Sequence, residues 1–155
     1  MEHYALLPSG GALGHGVGPL LISKQAMTVD QLNNAVIAIP GQHTTANFLL
    51  TYAYPNMNHK REFVFSSIEQ AVLSSQVDAG VIIHENRFTY KEKGLHCLVD
   101  LGTYWETKTG LPIPLGGIAI RRDLPYALQR QVNGWIQASI QDAWTNYPLL
   151  GEFVT

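Results

Sequence analysis

Cysteine and charge are both scarce in this sequence of 155 residues. The one cysteine, Cys97, has no partner for an internal disulfide, which is compatible with a reducing compartment. Cys97 lies in an apolar run, residues 95–101, where we expect it to be a small buried hydrophobic residue. Charged residues make up 14% of the chain, the net charge is −2, and Lys and Arg form no basic stripe. These features disfavour nucleic acid and anionic membranes as partners and favour a small neutral or anionic ligand.

Long apolar runs are also missing from the sequence. No uninterrupted apolar segment approaches the length that a bilayer-spanning helix needs. The first residues, Met1 to Tyr4, show neither the basic region nor the apolar region of a secretory signal. We therefore expect the protein to be cytoplasmic.

The histidines and glycines lack the spacing of two common kinds of site. His3, His15, His59 and His96 show neither i, i+4 pairing nor accompanying cysteines, so the sequence predicts no metal site. Residues 9–18 contain five glycines, but no G-x-G-x-x-G lies there between a predicted strand and a helix, which argues against a dinucleotide fingerprint. Because so many glycines do not suit the interior of a regular element, we expect a loop or hinge at residues 9–18.

The sequence does contain enough apolar residues, 46%, for one compact domain spanning residues 1–155. Strand-like and helix-like segments alternate, which is typical of an α/β fold with a mostly parallel sheet and helices on both faces. Ser67 and Gln70 have the spacing of a capping box and predict a helix start. The predicted strands are residues 19–23, 35–39, 62–65, 79–83, 95–101 and 117–121, and the predicted shorter helices are residues 44–54, 67–75 and 103–108.

A long C-terminal helix is predicted over residues 124–146. Its apolar residues recur at steps of three and four and form one stripe: Leu128, Val132, Trp135, Ile136, Ile140 and Trp144. Such a stripe needs a broad apolar surface to cover. That surface belongs either to this sheet or to residues outside this sequence.

Two loops that follow predicted strands, residues 40–46 and 79–85, carry the candidate site. Thr44 and Thr45 open an apolar helix, where unpaired N–H groups and the helix dipole favour an anion such as a carboxylate. His84 ends a buried strand, at the edge where open α/β sheets bind ligands. Taken alone, a threonine pair before an apolar helix is more often an ordinary N-cap, and a histidine at a strand end is more often a hydrogen-bonded structural residue. Tyr90, Tyr104 and Trp105 are expected in the core rather than stacked on a substrate.

Motifs along nearly the whole chain resemble those of one enzyme family, the 1,4-dihydroxy-6-naphthoate synthases of the futalosine route to menaquinone. The matching stretches are Tyr4-Ala5-Leu6-Leu7, Gly10-Gly11-Ala12-Leu13-Gly14, Gly16-Val17-Gly18-Pro19-Leu20, His43-Thr44-Thr45-Ala46, Gly80-Val81-Ile82-Ile83-His84-Glu85, Arg87-Phe88-Thr89-Tyr90, Val99-Asp100-Leu101-Gly102, Trp105-Glu106, Thr109-Gly110-Leu111-Pro112 and Pro114-Leu115-Gly116. Because the motifs occur in the family's order, the match is more specific than a likeness of fold.

The resemblance implies a fold, a reaction and roles for three residues. The fold would be a lobe of a periplasmic-binding-protein-like (type II) scaffold, with the substrate held between two lobes. The reaction would convert cyclic dehypoxanthine futalosine to 1,4-dihydroxy-6-naphthoate and a three-carbon fragment without metal or organic cofactor. His84 would be the catalytic base, oriented by Glu85 or a backbone carbonyl, and Thr44 and Thr45 would bind the substrate. A base with a pKa near neutrality suits this role.

The chain also departs from the family in length. Family members are considerably longer, so residues 1–155 would correspond to the second lobe plus part of the return to the first, with the N-terminal lobe missing. We expect the isolated chain to be weakly active or inactive. We also expect it either to bind a partner chain that supplies the missing lobe or to form a homo-oligomer. The alternative is a non-catalytic small-molecule (solute) binding module or an inactive fragment, because this scaffold is shared with solute-binding proteins.

Overall fold

A computed structural model of the protein describes residues 2–83 and 86–147. The strands of this part of the chain are β1 (Tyr4–Leu6), β2 (Ala12–Gly14), β3 (Leu20–Ser23), β4 (Ile37–Ile39), β5 (Lys60–Glu62), β6 (Ala79–Ile82), β7 (His96–Asp100), β8 (Ile113–Gly116) and β9 (Ala119–Arg121). The α-helices are α1 (Val29–Asn34), α2 (Thr45–Ala53), α3 (Ile68–Leu73), α4 (Asn86–Thr89), α5 (Leu101–Thr109) and α6 (Tyr126–Asn146), with 3₁₀ turns at Phe65–Ser67 and Tyr90–Lys93.

The chain divides into two compact units. The sheet unit is Gly14–Pro114, and the terminal unit combines Met1–Leu13 with Leu115–Thr155. The division arises because the chain enters the sheet unit once and leaves it once, so that both ends of the sequence contribute to the other unit. Near these crossings β2 and β8 pair as a two-stranded sheet.

The sheet unit is built on five strands in the order β5-β4-β6-β3-β7. Strand β4 runs parallel to β5 and β6, while β3 is antiparallel to both of its neighbours, β6 and β7. Four of the five strands therefore point in one direction, which confirms the mostly parallel sheet.

Apolar side chains cover both faces of this sheet. Because side chains alternate along a strand, Ile37 and Ile39 of β4 join one cluster with α2, whereas Ala38 joins a second cluster with α3. Leu101 of α5 completes the first cluster, and Tyr90 lies in the second. The prediction of helices on both faces is confirmed.

Close backbone packing fixes where α5 starts. A Cβ atom added to Gly18 would lie 2.2 Å from the Cα of Gly102, and one added to Gly102 would lie 2.5 Å from the Cα of Gly18. Both distances are far below van der Waals contact, so only glycine fits at these two positions. The segment entering β3 and the first turn of α5 therefore lie backbone against backbone.

The terminal unit pairs β1 with β9 in antiparallel register and contains α6. Leu128, Val132 and Ile136 of the predicted stripe are half-buried. Its two tryptophans, Trp135 and Trp144, are 60% and 73% exposed. Helix α6 itself begins at Tyr126 and agrees with the predicted end at residue 146. Its apolar stripe is thus only partly covered within the described residues.

Two predicted boundaries are wrong for identifiable reasons. A strand was predicted at residues 62–65, but the observed strand, β5, is Lys60–Glu62. It pairs in register with the three residues of β4 and ends where β4 ends. The capping box at Ser67 does not form: the Ser67 hydroxyl donates to the carbonyl oxygen of Val64 at 2.8 Å and no side-chain cap is made. A 3₁₀ turn at Phe65–Ser67 precedes α3 instead.

Two further expectations need correction. Cys97 is exposed rather than buried, because β7 is the last strand of the sheet order and has β3 on one side only. The segment 9–18 is not loop throughout, since Ala12–Gly14 forms β2. Its glycines at positions 10 and 16 do adopt positive φ angles, 84° and 66°, as expected for loop residues.

We expect Gly102→Ala to destabilise the sheet unit, because the new methyl group would push against the backbone of Gly18. Overpacking of this kind costs about 1–3 kcal/mol of unfolding free energy. Gly134→Ala is the matched control: its Cβ would meet nothing within 4 Å, and in the interior of α6 it should stabilise by about 0.5–1 kcal/mol. Urea unfolding measures both variants. Equal stabilities of Gly102→Ala and the unsubstituted chain would contradict the close approach.

Candidate functional site

The candidate site lies at the edge of the sheet where β4 and β6 end. The two strands are neighbours and parallel, with Ile37 opposite Ala79 and Ala38 opposite Gly80. The loops that follow them therefore leave the sheet at the same edge. The structure confirms the adjacency of the two strands whose exit loops the sequence analysis singled out. Parallel α/β sheets bind ligands at this edge.

Thr44 is the N-cap of α2. Its Oγ1 accepts a hydrogen bond from the N–H of Asn47 at 3.2 Å and donates one to the carbonyl oxygen of Gly41 at 2.7 Å. The Thr45 hydroxyl donates to the carbonyl oxygen of Pro114 at 2.8 Å, which leaves its lone pairs as acceptors. Both threonines are half-buried at the helix start, as the sequence predicts. Their hydroxyl protons are bound to backbone carbonyls, so any anion bound here would meet N–H groups of the first turn.

The loop before α2 is held by side chains. The N–H of Gln42 donates to the Glu62 carboxylate at 2.8 Å, and the Asn47 side-chain amide donates to the Gln42 carbonyl oxygen at 2.8 Å. Asn47 Oδ1 is buried and accepts no hydrogen bond from the described residues. A buried acceptor without a donor is costly, so a ligand hydroxyl or a water molecule would find a partner there.

His84, the predicted base, lies outside the described residues, and so does Glu85, the residue suggested to orient it. The chain is described up to Ile83, which is half-buried and packs against the first cluster, and again from Asn86. The role of His84 stays a prediction from the sequence.

An ion pair that sequence reasoning missed lies at the same edge. Arg87 Nη2 is 2.6 Å from Asp100 Oδ2, and Arg87 Nη1 donates to the carbonyl oxygen of Gly18 at 2.7 Å. Asp100 is also the N-cap of α5, accepting the N–H of Thr103 at 3.0 Å. The partial burial of Asp100 raises the pKa of its carboxyl group, but the hydrogen bonds from Arg87 and Thr103 outweigh this and lower the pKa below its usual value. The available signal for the cap was an aspartate directly before a helix.

Aromatic side chains form a cluster between α2 and α5. Trp105 contacts Phe48 and Tyr52 edge-on, with ring centroids 5.4 Å and 5.0 Å apart, and its indole N–H donates to the Pro112 carbonyl oxygen. Tyr90 is buried in the second cluster. The expectation that Tyr90 and Trp105 serve packing is confirmed.

Residues 2–83 and 86–147 contain neither a cluster of metal ligands nor a helix suited to span a membrane. Within these ranges no three His, Cys, Asp or Glu side chains lie close enough together to bind a metal ion. Among their helices, none combines the length and the apolar character that crossing a membrane requires.

The edge thus combines two helix N-termini of different character. At α5 the N-terminus faces a carboxylate of the chain itself, Asp100, which is neutralised by Arg87. At α2 the cap is the neutral Thr44, and the first turn carries no acidic residue. An external anion is therefore favoured at α2 rather than at α5.

Comparison with known proteins gives the family. Residues 1–154 match the protein family described as menaquinone biosynthesis. The chain is 45% identical over 139 residues to the 1,4-dihydroxy-6-naphthoate synthase of Thermus thermophilus, covering 90% of this chain and 50% of the relative. It is 42% identical over 149 residues to the synthase of the same name from Streptomyces coelicolor, covering 93% and 52%. The chain therefore spans about half the length of these relatives.

Solved structures agree with this relationship. Protein AF1704 from Archaeoglobus fulgidus has a TM-score of 0.74 at 39% identity, covering 95% of this chain and 54% of that one. The arginine-, lysine-, histidine-binding protein ArtJ from Geobacillus stearothermophilus has a TM-score of 0.54 at 12% identity, covering 92% and 59%, which shows the periplasmic-binding-protein-like fold alone. By sequence and by structure, the chain belongs to the menaquinone biosynthesis family, alongside the 1,4-dihydroxy-6-naphthoate synthases to which it is similar.

Proposed function

We propose that this chain supplies one half of the active site of a 1,4-dihydroxy-6-naphthoate synthase. The reaction is a carbon–carbon lyase step that converts cyclic dehypoxanthine futalosine to 1,4-dihydroxy-6-naphthoate and a three-carbon fragment, without metal or organic cofactor. The observation that carries the proposal is the identity of 42–45% to two synthases across about 90% of the chain. The geometry of the sheet edge supports it.

His84 acts as the general base in this proposal. An imidazole has an unperturbed pKa close to neutrality, so it can take a proton from carbon or hydroxyl and return it within one turnover. The support is its place in the sequence: it follows Ile83, and Ile83 follows the last residue of β6, Ile82. Strand β6 is parallel to β4, and the threonine loop follows β4 at the same edge.

The start of α2 receives the negative end of the substrate. Its first-turn N–H groups lack intrahelical acceptors, and the positive end of the helix dipole favours a carboxylate. The negative end itself meets these N–H groups, and the Thr45 hydroxyl, whose lone pairs are unused, accepts a hydrogen bond from a ligand hydroxyl, while Thr44 holds the helix start in place. The substrate-binding role expected for both threonines is thereby divided between a contact and a cap.

The remaining half of the fold completes the site. We call the half of the relatives' length that this chain does not span the complementary half. It binds the apolar surface of the terminal unit, where Leu6 of β1 is 67% exposed and Trp135 and Trp144 of α6 are 60% and 73% exposed. Apolar patches of this kind mark interaction surfaces. A second copy of this chain on the same surface is the alternative occupant.

A binding module is the second candidate function, favoured by the fold shared with ArtJ. It would use the same edge and α2 N-terminus but would gain little from an ionisable base at position 84. For either function we assign the protein to the cytoplasm, because its one cysteine permits no internal disulfide and is compatible with a reducing compartment.

We expect His84→Gln to lower kcat for naphthoate formation by about 10²- to 10⁴-fold, because the proton-transfer step loses its base. Ligand affinity, measured by calorimetry, should stay within a few-fold of the original value. The matched control is His59→Gln, since His59 is exposed and belongs to the loop before β5. Both are assayed with the complementary half present. Unchanged turnover in His84→Gln would contradict the role of the base and favour the binding module.

We expect Thr45→Val to raise KM about 10-fold or more with kcat nearly unchanged, because it removes a ligand contact without removing the cap. Thr44→Val should instead lower the unfolding free energy by about 1 kcal/mol, and Thr44→Ser should restore it. Steady-state kinetics and urea unfolding separate the two effects. A KM unaffected by Thr45→Val would count against this ligand position.

A further inference from the structure

Strand β1 of the terminal unit is paired on one side only. Its partner is β9, with Tyr4 opposite Arg121 and Leu6 opposite Ala119, and the two strands form a sheet of their own. Among the described residues no further strand pairs with β1. An unpaired strand edge is a template for pairing with another chain segment. The outer edge of β1, the side away from β9, is therefore open to an added strand.

The pairing pattern identifies the backbone groups that point to this outer edge. The N–H of Leu7 donates to the carbonyl oxygen of Ile118 at 2.8 Å, and the N–H of Arg122 donates to that of His3 at 2.9 Å. Opposed residues of an antiparallel pair alternate between hydrogen-bonded and non-bonded positions, so residues 3, 5 and 7 face β9. The N–H and C=O groups of Leu6 therefore point away from β9.

A side chain already covers one neighbouring group on the outer edge. Arg122 Nε donates to the carbonyl oxygen of Tyr4 at 2.9 Å, which brings its guanidinium to that edge. Tyr4 precedes Leu6 by two residues, so the carbonyl groups of both point to the same side of β1. The outer edge thus combines an arginine with the unpaired backbone groups of Leu6.

A groove of about 830 Å³ borders β1. Residues 5–8 line one side of it. Helix α6 lines the other side with one face, which includes Tyr126, Arg130 and Asn133 at steps of four and three residues. None of the β9 residues 119–121 lines the groove. It therefore offers space to a segment beside β1 and not to one beside β9.

The charge of the groove indicates what kind of segment it accepts. Arg122 and Arg130 line it, and none of its described lining residues is acidic. Arg130 is exposed and makes no hydrogen bond or ion pair with another described residue. A second copy of this chain would add its own two arginines to the same groove, where like charges repel. A segment with carboxylate side chains would instead complement both arginines.

We infer that an extended segment of the complementary half adds as a strand to the outer edge of β1, with carboxylate side chains facing Arg122 and Arg130. The inference rests on the proposed function, in which the complementary half completes the site. About half the length of the relatives lies outside the match, which is ample for such a segment. In this binding mode, backbone hydrogen bonds give affinity and side-chain contacts give specificity.

The test takes as complementary half the part of the Thermus thermophilus synthase outside its 139-residue match. The two are produced together, and the Kd of the purified complex is measured by dilution in the analytical ultracentrifuge. Leu6→Pro removes the outward N–H, and strand edges tolerate proline. Ala119→Pro is the matched control, because Ala119 lies opposite Leu6 and its N–H points to the outer side of β9.

We expect Leu6→Pro to raise Kd about 10-fold, because one backbone hydrogen bond is lost, and Ala119→Pro to change it less than about threefold. Unfolding in urea checks that both variants remain folded. Equal effects of the two prolines on Kd would overturn the inference, since they would assign the loss to the fold of the terminal unit rather than to the outer edge of β1.

A change of charge tests the same groove without proline. Arg130→Glu should raise Kd about 10-fold or more at low salt and less at high salt, because it places a negative charge against the carboxylates of the added segment. Lys91→Glu makes the same change of net charge on the exposed surface of the sheet unit and should leave Kd within about threefold. Equal effects of these two substitutions would contradict a specific contact at Arg130.

Hydrogen exchange of the amides locates the added strand. In the complex the Leu6 amide should exchange about 100-fold more slowly than in the chain alone, whereas the Leu7 amide, already bonded to Ile118, should change less. A complex that protects Leu6 but makes no naphthoate would contradict the proposed function and support the added strand. Naphthoate formation without protection of Leu6 would do the reverse. A dimer of the chain alone that protects Leu6 would assign the edge to a second copy and overturn the inference.

Discussion

The backbone contact between Gly18 and Gly102 is the constraint on which the candidate site depends. It forces the segment entering β3 against the first turn of α5, and no side chain larger than hydrogen fits at either position. This junction places the Gly18 carbonyl and the Asp100 carboxylate side by side, where one arginine can bind both. The chain that resumes after residues 84 and 85 is thereby tied to this junction through Arg87.

The same edge carries an electrostatic asymmetry that suits ligand binding. Asp100 caps the N-terminus of α5 and is itself paired with Arg87. The N-terminus of α2 has only the neutral cap of Thr44 and no acidic residue in its first turn. The N-terminus of α5 is thus occupied by a carboxylate of the protein, and the N-terminus of α2 remains available to an external anion. This division of roles explains why the ligand is assigned to the threonine loop.

Local signals in the sequence predicted the parts of the fold that depend on neighbouring residues. The apolar run before Thr44 predicted β4, and the threonine predicted the start of α2. The three- and four-residue repeat predicted α6 to its last residue. The parallel arrangement of β4 and β6 followed from the alternation of strands and helices.

Features that depend on distant partners could not be predicted in this way. Arg87 and Asp100 are 13 residues apart, and their pairing exists only because β7 returns beside β3. The apolar neighbours of Cys97 in the sequence predict a core residue, yet Cys97 is exposed on an edge strand. Ser67 has the spacing of a capping box, but its hydroxyl is taken by Val64. In the first two cases the arrangement of distant strands outweighs the local pattern, and at Ser67 a competing hydrogen bond three residues back does so.

Product formation by the combined halves tests the central claim most directly. The chain is incubated with cyclic dehypoxanthine futalosine, alone and with the separately produced complementary half, and 1,4-dihydroxy-6-naphthoate is detected by absorbance and mass. We predict product when both halves are present and little or none from the chain alone. Absence of product in both preparations, with ligand binding retained, would contradict the synthase and leave the binding module as the function of this chain.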